Sequence, residues 1–361
     1  MRPVPHRSRI VCGALLLGLA SLAAARPAAA ADSTVNVTIT TMKISLPGMA
    51  NLHLPPGIHI PALDRLTKPQ RNLAVSVVSG GTAPDDATAT LDVPAGLGVG
   101  QTVTLGLLRP GKLGAEVAGA APRNIQVYWG SGPTVGAGQP KQLDLSGAAL
   151  QRYLRMARPG QRGSPDSTLA VWPSGQGRMP QMLTENADPT GDYALHTSYA
   201  GNASFHIGAD QTFLPAVEVT PPQGKPDLTA PITVNWKPVA GALGYQVMAF
   251  GADGNPQQDN SKIIMWFASK TIPFDAGKDL MSGDPADGVK AGVLLPPEAT
   301  SATVPAGIFN GLPFVSLTVT ALGPTKLVAG TPSVRVSTSS VAIVTLAGGP
   351  GGFGGPRGGG R

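Results

Sequence analysis

The chain has 361 residues, 42% hydrophobic, 13% charged and 5% aromatic, with 47 Gly, 36 Pro and a formal charge of +6. That apolar content excludes a wholly disordered chain, and Gly and Pro at this density exclude a helical bundle or coiled coil. Many short strands joined by turns are expected instead.

Arg2, Arg7 and Arg9 precede an apolar run over 10–25, which gives way to Ala28, Ala29, Ala30 and Ala31. A basic start, an apolar middle and small-x-small positions are the three parts of a secretory signal peptide. The run is shorter than the about 20 residues a membrane-spanning helix needs, so cleavage after residue 31 is expected rather than a transmembrane anchor. Cys12 sits near the start of the run instead of behind it, which is the wrong place for lipid attachment. Of the 27 basic residues four, Arg2, Arg7, Arg9 and Arg26, fall in this stretch, so 23 remain against 21 acidic ones. A nearly neutral mature chain gives no argument for a nucleic-acid partner. The only Cys leaves with the signal, which excludes a disulfide or a catalytic thiol.

Residues 32–212 read as a first β-rich domain. Val35, Val37 and Ile39 alternate with polar residues, the period of a half-buried strand. Pro47, Pro55, Pro56, Pro61 and Pro69 make 46–70 irregular. Strands are predicted over 73–78, 87–93, 102–108 and 124–129. One short helix is predicted over 146–157, with Ser146 as its cap, an apolar face of Ala149, Leu150, Tyr153, Leu154 and Ala157, and Pro159-Gly160 as its stop. Its other face carries Arg152, Arg155 and Arg158, a stripe suited to an acidic glycan or anionic headgroups, or a plain solvated face. Strands resume over 168–172, 193–198 and 204–207, the last two joined as a hairpin through Ala200-Gly201-Asn202.

Residues 213–346 read as a second domain. Ile232, Val234 and Trp236 alternate, a turn follows at 238–241, and Tyr245, Val247 and Ala249 alternate again. Ile232-Thr233-Val234-Asn235-Trp236-Lys237-Pro238-Val239 followed by Gly244-Tyr245-Gln246-Val247 resembles the fibronectin type III branch of the immunoglobulin-like β-sandwiches. The resemblance, over about a third of the chain, implies that Trp236 fills the core and that Tyr245 is the third-strand aromatic. It departs from the family at Val315, where the tyrosine of a tyrosine corner would stand, and in a long insertion over 253–299. Within the insertion 262–268 is a predicted buried strand and 273–297 a predicted surface loop, the first place to expect a binding site. Residues 347–361 are a Gly-rich tail that cannot build a core.

Motifs of catalysis are missing. The stretch Trp172-Pro173-Ser174-Gly175-Gln176-Gly177 lacks the first Gly of a nucleophile elbow, and Val135 stands where a dinucleotide fingerprint needs Gly. His196 and His206 on the two strands of the predicted hairpin are the one candidate metal pair, placed nearly opposite, with Asp192 and Asp210 as available partners. Asp253, Asn255 and Asp259, with Asp275, Asp279, Asp284 and Asp287, put carboxylates in the insertion where Ca²⁺ is the cation they would hold, or where they are simply solvated. Trp266, like Trp129 and Trp172, is either a flat platform for a sugar or a core aromatic. The reading is an all-β protein of two sandwich-like domains, exported to the periplasm or beyond. It is expected to be a non-enzymatic binding module for envelope polysaccharide or a protein partner. The alternatives are a polysaccharide hydrolase and a structural subunit of a surface assembly.

Overall fold

A computed structural model describes residues 33–45, 68–108, 124–143, 167–174, 183–220, 222, 226–253, 262–272 and 283–348. Ten strands come from the first part of the chain: β1 (Thr34–Ser45), β2 (Gln70–Val78), β3 (Ala89–Asp92), β4 (Thr102–Thr104), β5 (Gly106–Leu108), β6 (Asn124–Trp129), β7 (Lys141–Leu143), β8 (Leu169–Trp172), β9 (Gly191–Thr197) and β10 (Ala203–Ile207). Seven follow: β11 (Val219–Thr220), β12 (Ile232–Trp236), β13 (Gly244–Ala252), β14 (Lys262–Phe267), β15 (Ser301–Val304), β16 (Phe314–Val328) and β17 (Ser333–Ala347). The fold is all-β and sandwich-like, as its composition implies. The described helix, α1 (Pro285–Lys290), lies in the second part of the chain. The helix expected over 146–157 lies outside the described residues, as do the signal segment and nearly all of the Gly-rich tail.

One ten-stranded sheet, in the order β5-β8-β2-β1-β17-β16-β13-β14-β6-β7, backs both sandwiches. A four-stranded sheet, β10-β9-β3-β4, covers one end of it, and a three-stranded sheet, β11-β12-β15, covers the other. The two sandwiches therefore share a sheet and do not hang on a linker. The join is β1, which pairs antiparallel with β2 and parallel with β17 from Thr34↔Ser333 to Ser45↔Val344. Its alternation decides its faces: Val35, Val37 and Ile39 are fully buried in the first core, while Thr34, Asn36, Thr38 and Thr40 face outward.

The first core packs β1 and β2 against Leu91, Tyr193, Leu195, Phe205 and Ile207 and ends at Phe213. The second begins at Leu214 and packs Val234, Trp236 and Val304 against Tyr245, Val247, Trp266 and Leu317. Along β17 the inward residues pass from Val334 and Val336 in the first core to Ala342, Val344 and Leu346 in the second. Between them Thr338 and Ser340 are inward, buried and polar. Ser340 Oγ accepts from the Val217 N–H at 3.0 Å, and Thr41 Oγ1 donates to the Leu214 carbonyl at 2.7 Å. These hydroxyls fasten the segment that crosses the seam, each worth about 1 kcal/mol net. Gly323 is required beside them, because a Cβ there would collide with Thr338 Oγ1.

Two expected elements differ. The predicted strand over 102–108 is two strands in different sheets, β4 beside β3 and β5 beside β8. Leu105, 2% exposed, turns the chain between them and closes that edge of the first core. Of the surface loop expected over 273–297, residues 283–297 are described and are docked. Asp284 caps α1, Val293 and Leu294 are buried, and Leu295 exchanges two backbone hydrogen bonds with Tyr245. Two adjacent apolar side chains at the end of the insertion are enough to hold it down.

Candidate functional site

The outward face of the four-stranded sheet gathers the polar residues of the first sandwich. In β9 the period of two sends Tyr193 and Leu195 into the core and Asp192, Ala194 and His196 outward. In β3 it buries Leu91 and turns out Thr90 and Asp92. The register sets Asp92 and Ser204 on either side of Ala194, in one row across three strands, and sets His206 opposite Asp192 in the next row.

Ala194 is the floor of a shallow open depression of about 440 Å³, because its methyl stands lower than the side chains around it. Asp92, Asp192, Ser204 and His206 form the rim. Asp92 and Asp192 are diagonal neighbours, with Cα atoms about 7–8 Å apart. Each carboxylate is oriented. Asp92 Oδ1 accepts from Thr102 Oγ1 at 2.6 Å, and its Oδ2 lies 3.1 Å from His196 Nε2. Asp192 Oδ1 lies 2.8 Å from His206 Nδ1. The Thr102 hydroxyl, and after it His196, hold the Asp92 carboxyl below its usual range. An ionised, hydrogen-bonded carboxylate is a good acceptor for ligand hydroxyls and a poor proton donor.

The metal pair expected of His196 and His206 is not formed. His206 stands opposite Asp192, four residues along β9 from His196, a backbone offset of about 13 Å of strand. The hairpin loop runs longer than Ala200-Gly201-Asn202 alone, so the register shifts and each imidazole meets an aspartate. Asp210 sits beyond β10 in a short 3-10 turn (Ala209–Gln211). Among the described residues no group of three or more His, Cys, Asp or Glu is placed to hold a metal ion.

Trp266 is 0% exposed, and its Nε1 donates to the Gly130 carbonyl at 2.8 Å, so it anchors the second core and offers no face to a sugar. Trp172 is buried as well. Asp253 Oδ1 accepts from the Lys262 N–H at 2.7 Å and closes the β13–β14 hairpin. Asn255, Asp259, Asp275, Asp279, Arg152, Arg155 and Arg158 lie outside the described residues.

Asp92, Thr102, Ala194 and Ser204 were not singled out by their sequence context. The alternation of β3 marks Asp92 as outward, but no local signal says that β3 and β9, about a hundred residues apart, are neighbours. No helix among the described residues is long and apolar enough to cross a membrane. No protein-family model matches the chain, and no curated protein matches it in sequence.

Proposed function

We propose that the mature chain is an exported, non-enzymatic binding module for envelope or extracellular polysaccharide, with the outward face of β3, β9 and β10 as its contact surface. The observation that carries this reading is the depression over Ala194, rimmed by two oriented carboxylates, a hydroxyl and an imidazole. Such a set accepts and donates hydrogen bonds to ring hydroxyls, and an open, shallow shape suits a chain that passes across it. Export rests on the signal pattern of residues 1–31. In the second sandwich, three strands facing four with Trp236 and Tyr245 buried between them support the fibronectin type III reading.

The hydrolase alternative needs one carboxyl raised toward neutral pH to donate a proton, and Asp92, held in the opposite direction, is not that donor. The assembly alternative needs long open edges. Among the described strands the edges β4, β5 and β7 have three residues each, β11 two and β10 five, and in β15 Thr303 is already met by the Gly132 N–H and by Ser131 Oγ.

Purified residues 32–361 are incubated with envelope and extracellular polysaccharide fractions, and co-sedimentation and soluble reducing ends are assayed together. The expected result is retention without new reducing ends, lost in Asp92→Ala/Asp192→Ala at an unchanged melting temperature. Sugar release, or full retention by that variant, overturns the reading.

A further inference from the structure

A second depression, of about 350 Å³, opens at the end of the first sandwich where β9 begins and β10 has ended. It is lined by Arg71, Asn186, Asp188, Thr190 and Thr212. Arg71 is on the inward face of β2 but at the strand's first turn of pleat, so its side chain leaves the core through this opening. Its position is held three ways. The backbone carbonyl accepts from the Leu183 N–H, one guanidinium nitrogen donates to the Ala187 carbonyl at 2.9 Å, and the guanidinium carbon lies 5.1 Å from the centroid of the Phe213 ring.

Among the described residues no carboxylate lies within ion-pair distance of Arg71. A half-buried guanidinium has five N–H donors in a fixed fork and is costly to desolvate without a counter-charge. Stacking on Phe213 and the single bond to Ala187 fix its orientation and leave most of the fork to the opening. Asp188 Oδ1 accepts from the Thr190 N–H at 2.9 Å, which fixes the second charged group of the lining with its other oxygen available.

The two depressions are neighbours along the chain: Thr190, just before β9, lines one, and Asp192, two residues on and within β9, lines the other. Resting on the polysaccharide reading above, we infer that the Arg71 depression is a second subsite of the same track and binds a carboxylate carried by a sugar ring, as in a uronic acid. The carboxylate meets the guanidinium fork side by side, a planar two-oxygen group on a planar two-nitrogen one. Ring hydroxyls then face Asp188, Thr190 and Thr212. The single negative charge in the lining favours a guest whose own charge is confined to one end.

The test titrates residues 32–361 with oligogalacturonate, with its carboxyl-reduced counterpart and with a sulfated galactan of matched length, by calorimetry. Oligogalacturonate is expected to bind about 10–100-fold tighter than the reduced chain, the range of a hydrogen bond to a charged group. Arg71→Met is expected to bring the two to the same affinity without weakening the reduced chain, and Arg71→Lys, which keeps the charge and loses the fork, to fall between. Asp92→Ala/Asp192→Ala should weaken both chains alike, and the melting temperature of each variant separates lost contacts from lost folding. Equal affinity of the wild type for both chains overturns the Arg71 subsite while the polysaccharide reading stands. Binding of neither overturns the Arg71 subsite and leaves the polysaccharide reading to the co-sedimentation above, and Arg71-dependent binding of the sulfated chain alone overturns the carboxylate assignment.

Discussion

The two sandwiches are built alike inside and differently outside. Each buries a tyrosine against a second aromatic: Tyr193 stacks on Phe205 with centroids 5.0 Å apart, and Tyr245 tilts against Trp236 at 5.4 Å. Each uses that tyrosine hydroxyl to hold the backbone just upstream. Tyr193 donates to the Pro189 carbonyl at 2.7 Å, and Tyr245 accepts from the Val239 N–H at 2.8 Å, beside a turn that Gly241 makes possible with φ of 82°. Burial, with the nearby Asp188 charge second, pushes the Tyr193 phenol up, so it stays a neutral donor. The small sheets diverge on their outward faces. In the first, charged side chains ring the gap over Ala194. In the second, Thr233 and Thr303 bond to each other at 2.9 Å and Asn235 and Ser301 share a row, giving a flat, uncharged ladder. Packing is thus common to both, and the proposed binding surface rests on a few outward positions of one.

If the shared sheet couples the sandwiches, damage to either core should be felt by both. Trp266→Ala in the second core and Phe205→Ala in the first are each expected to cost about 3–5 kcal/mol. Each should lower a single calorimetric transition of residues 32–361. Two transitions, only one of which moves, would show that β16 and β17 do not transmit the loss.

Removing one hydroxyl at a time sharpens the likeness. Tyr193→Phe and Tyr245→Phe each leave a buried backbone group without its partner, and each is expected to cost about 1–3 kcal/mol in urea unfolding. A neutral result for one of them would mean that water replaces that hydroxyl and that the two tyrosines are not equivalent.

The outward faces should respond in opposite ways. Ala194→Trp fills the depression and is expected to abolish retention on polysaccharide, whereas Thr233→Val/Thr303→Val on the second small sheet should leave retention unchanged. Co-sedimentation of the two variants side by side decides it.

The smallest effect concerns the seam. Lys43 Nζ lies 2.9 Å from Glu218 Oε1 and, as hydrogen bond and as charge, lowers the Glu218 pKa. A carboxyl lowered on folding adds stability above its unfolded pKa and loses it as pH falls through the folded value. Both side chains are partly exposed, so a few tenths of a kcal/mol are expected. Lys43→Met should therefore melt slightly below the wild type at pH 6 and together with it at pH 2–3. A gap that persists in acid would place the effect in the lysine's packing.

Much of the strand pattern was legible because alternation is local. Val35, Val37 and Ile39, or Ile232, Val234 and Trp236, declare their inward side within five residues. The insertion's buried strand, 262–268, was equally plain, and with it the ambiguity of Trp266 that only burial resolved. The tyrosine hydroxyl bonds were not legible, since Val239 and Pro189 carry no mark of needing a partner.

By itself the sequence determined the all-β class and the apolar faces of most strands. These follow from a period of two and from the cost of burying a charge. Only the tertiary structure decided who stands beside whom. Register between strands a hundred residues apart set Asp92 next to Ala194, sent the two imidazoles to different aspartates, and joined β1 to β17 so that one sheet serves two cores. Such pairings are chosen by the fit of whole faces, a non-local quantity that no window of the chain contains.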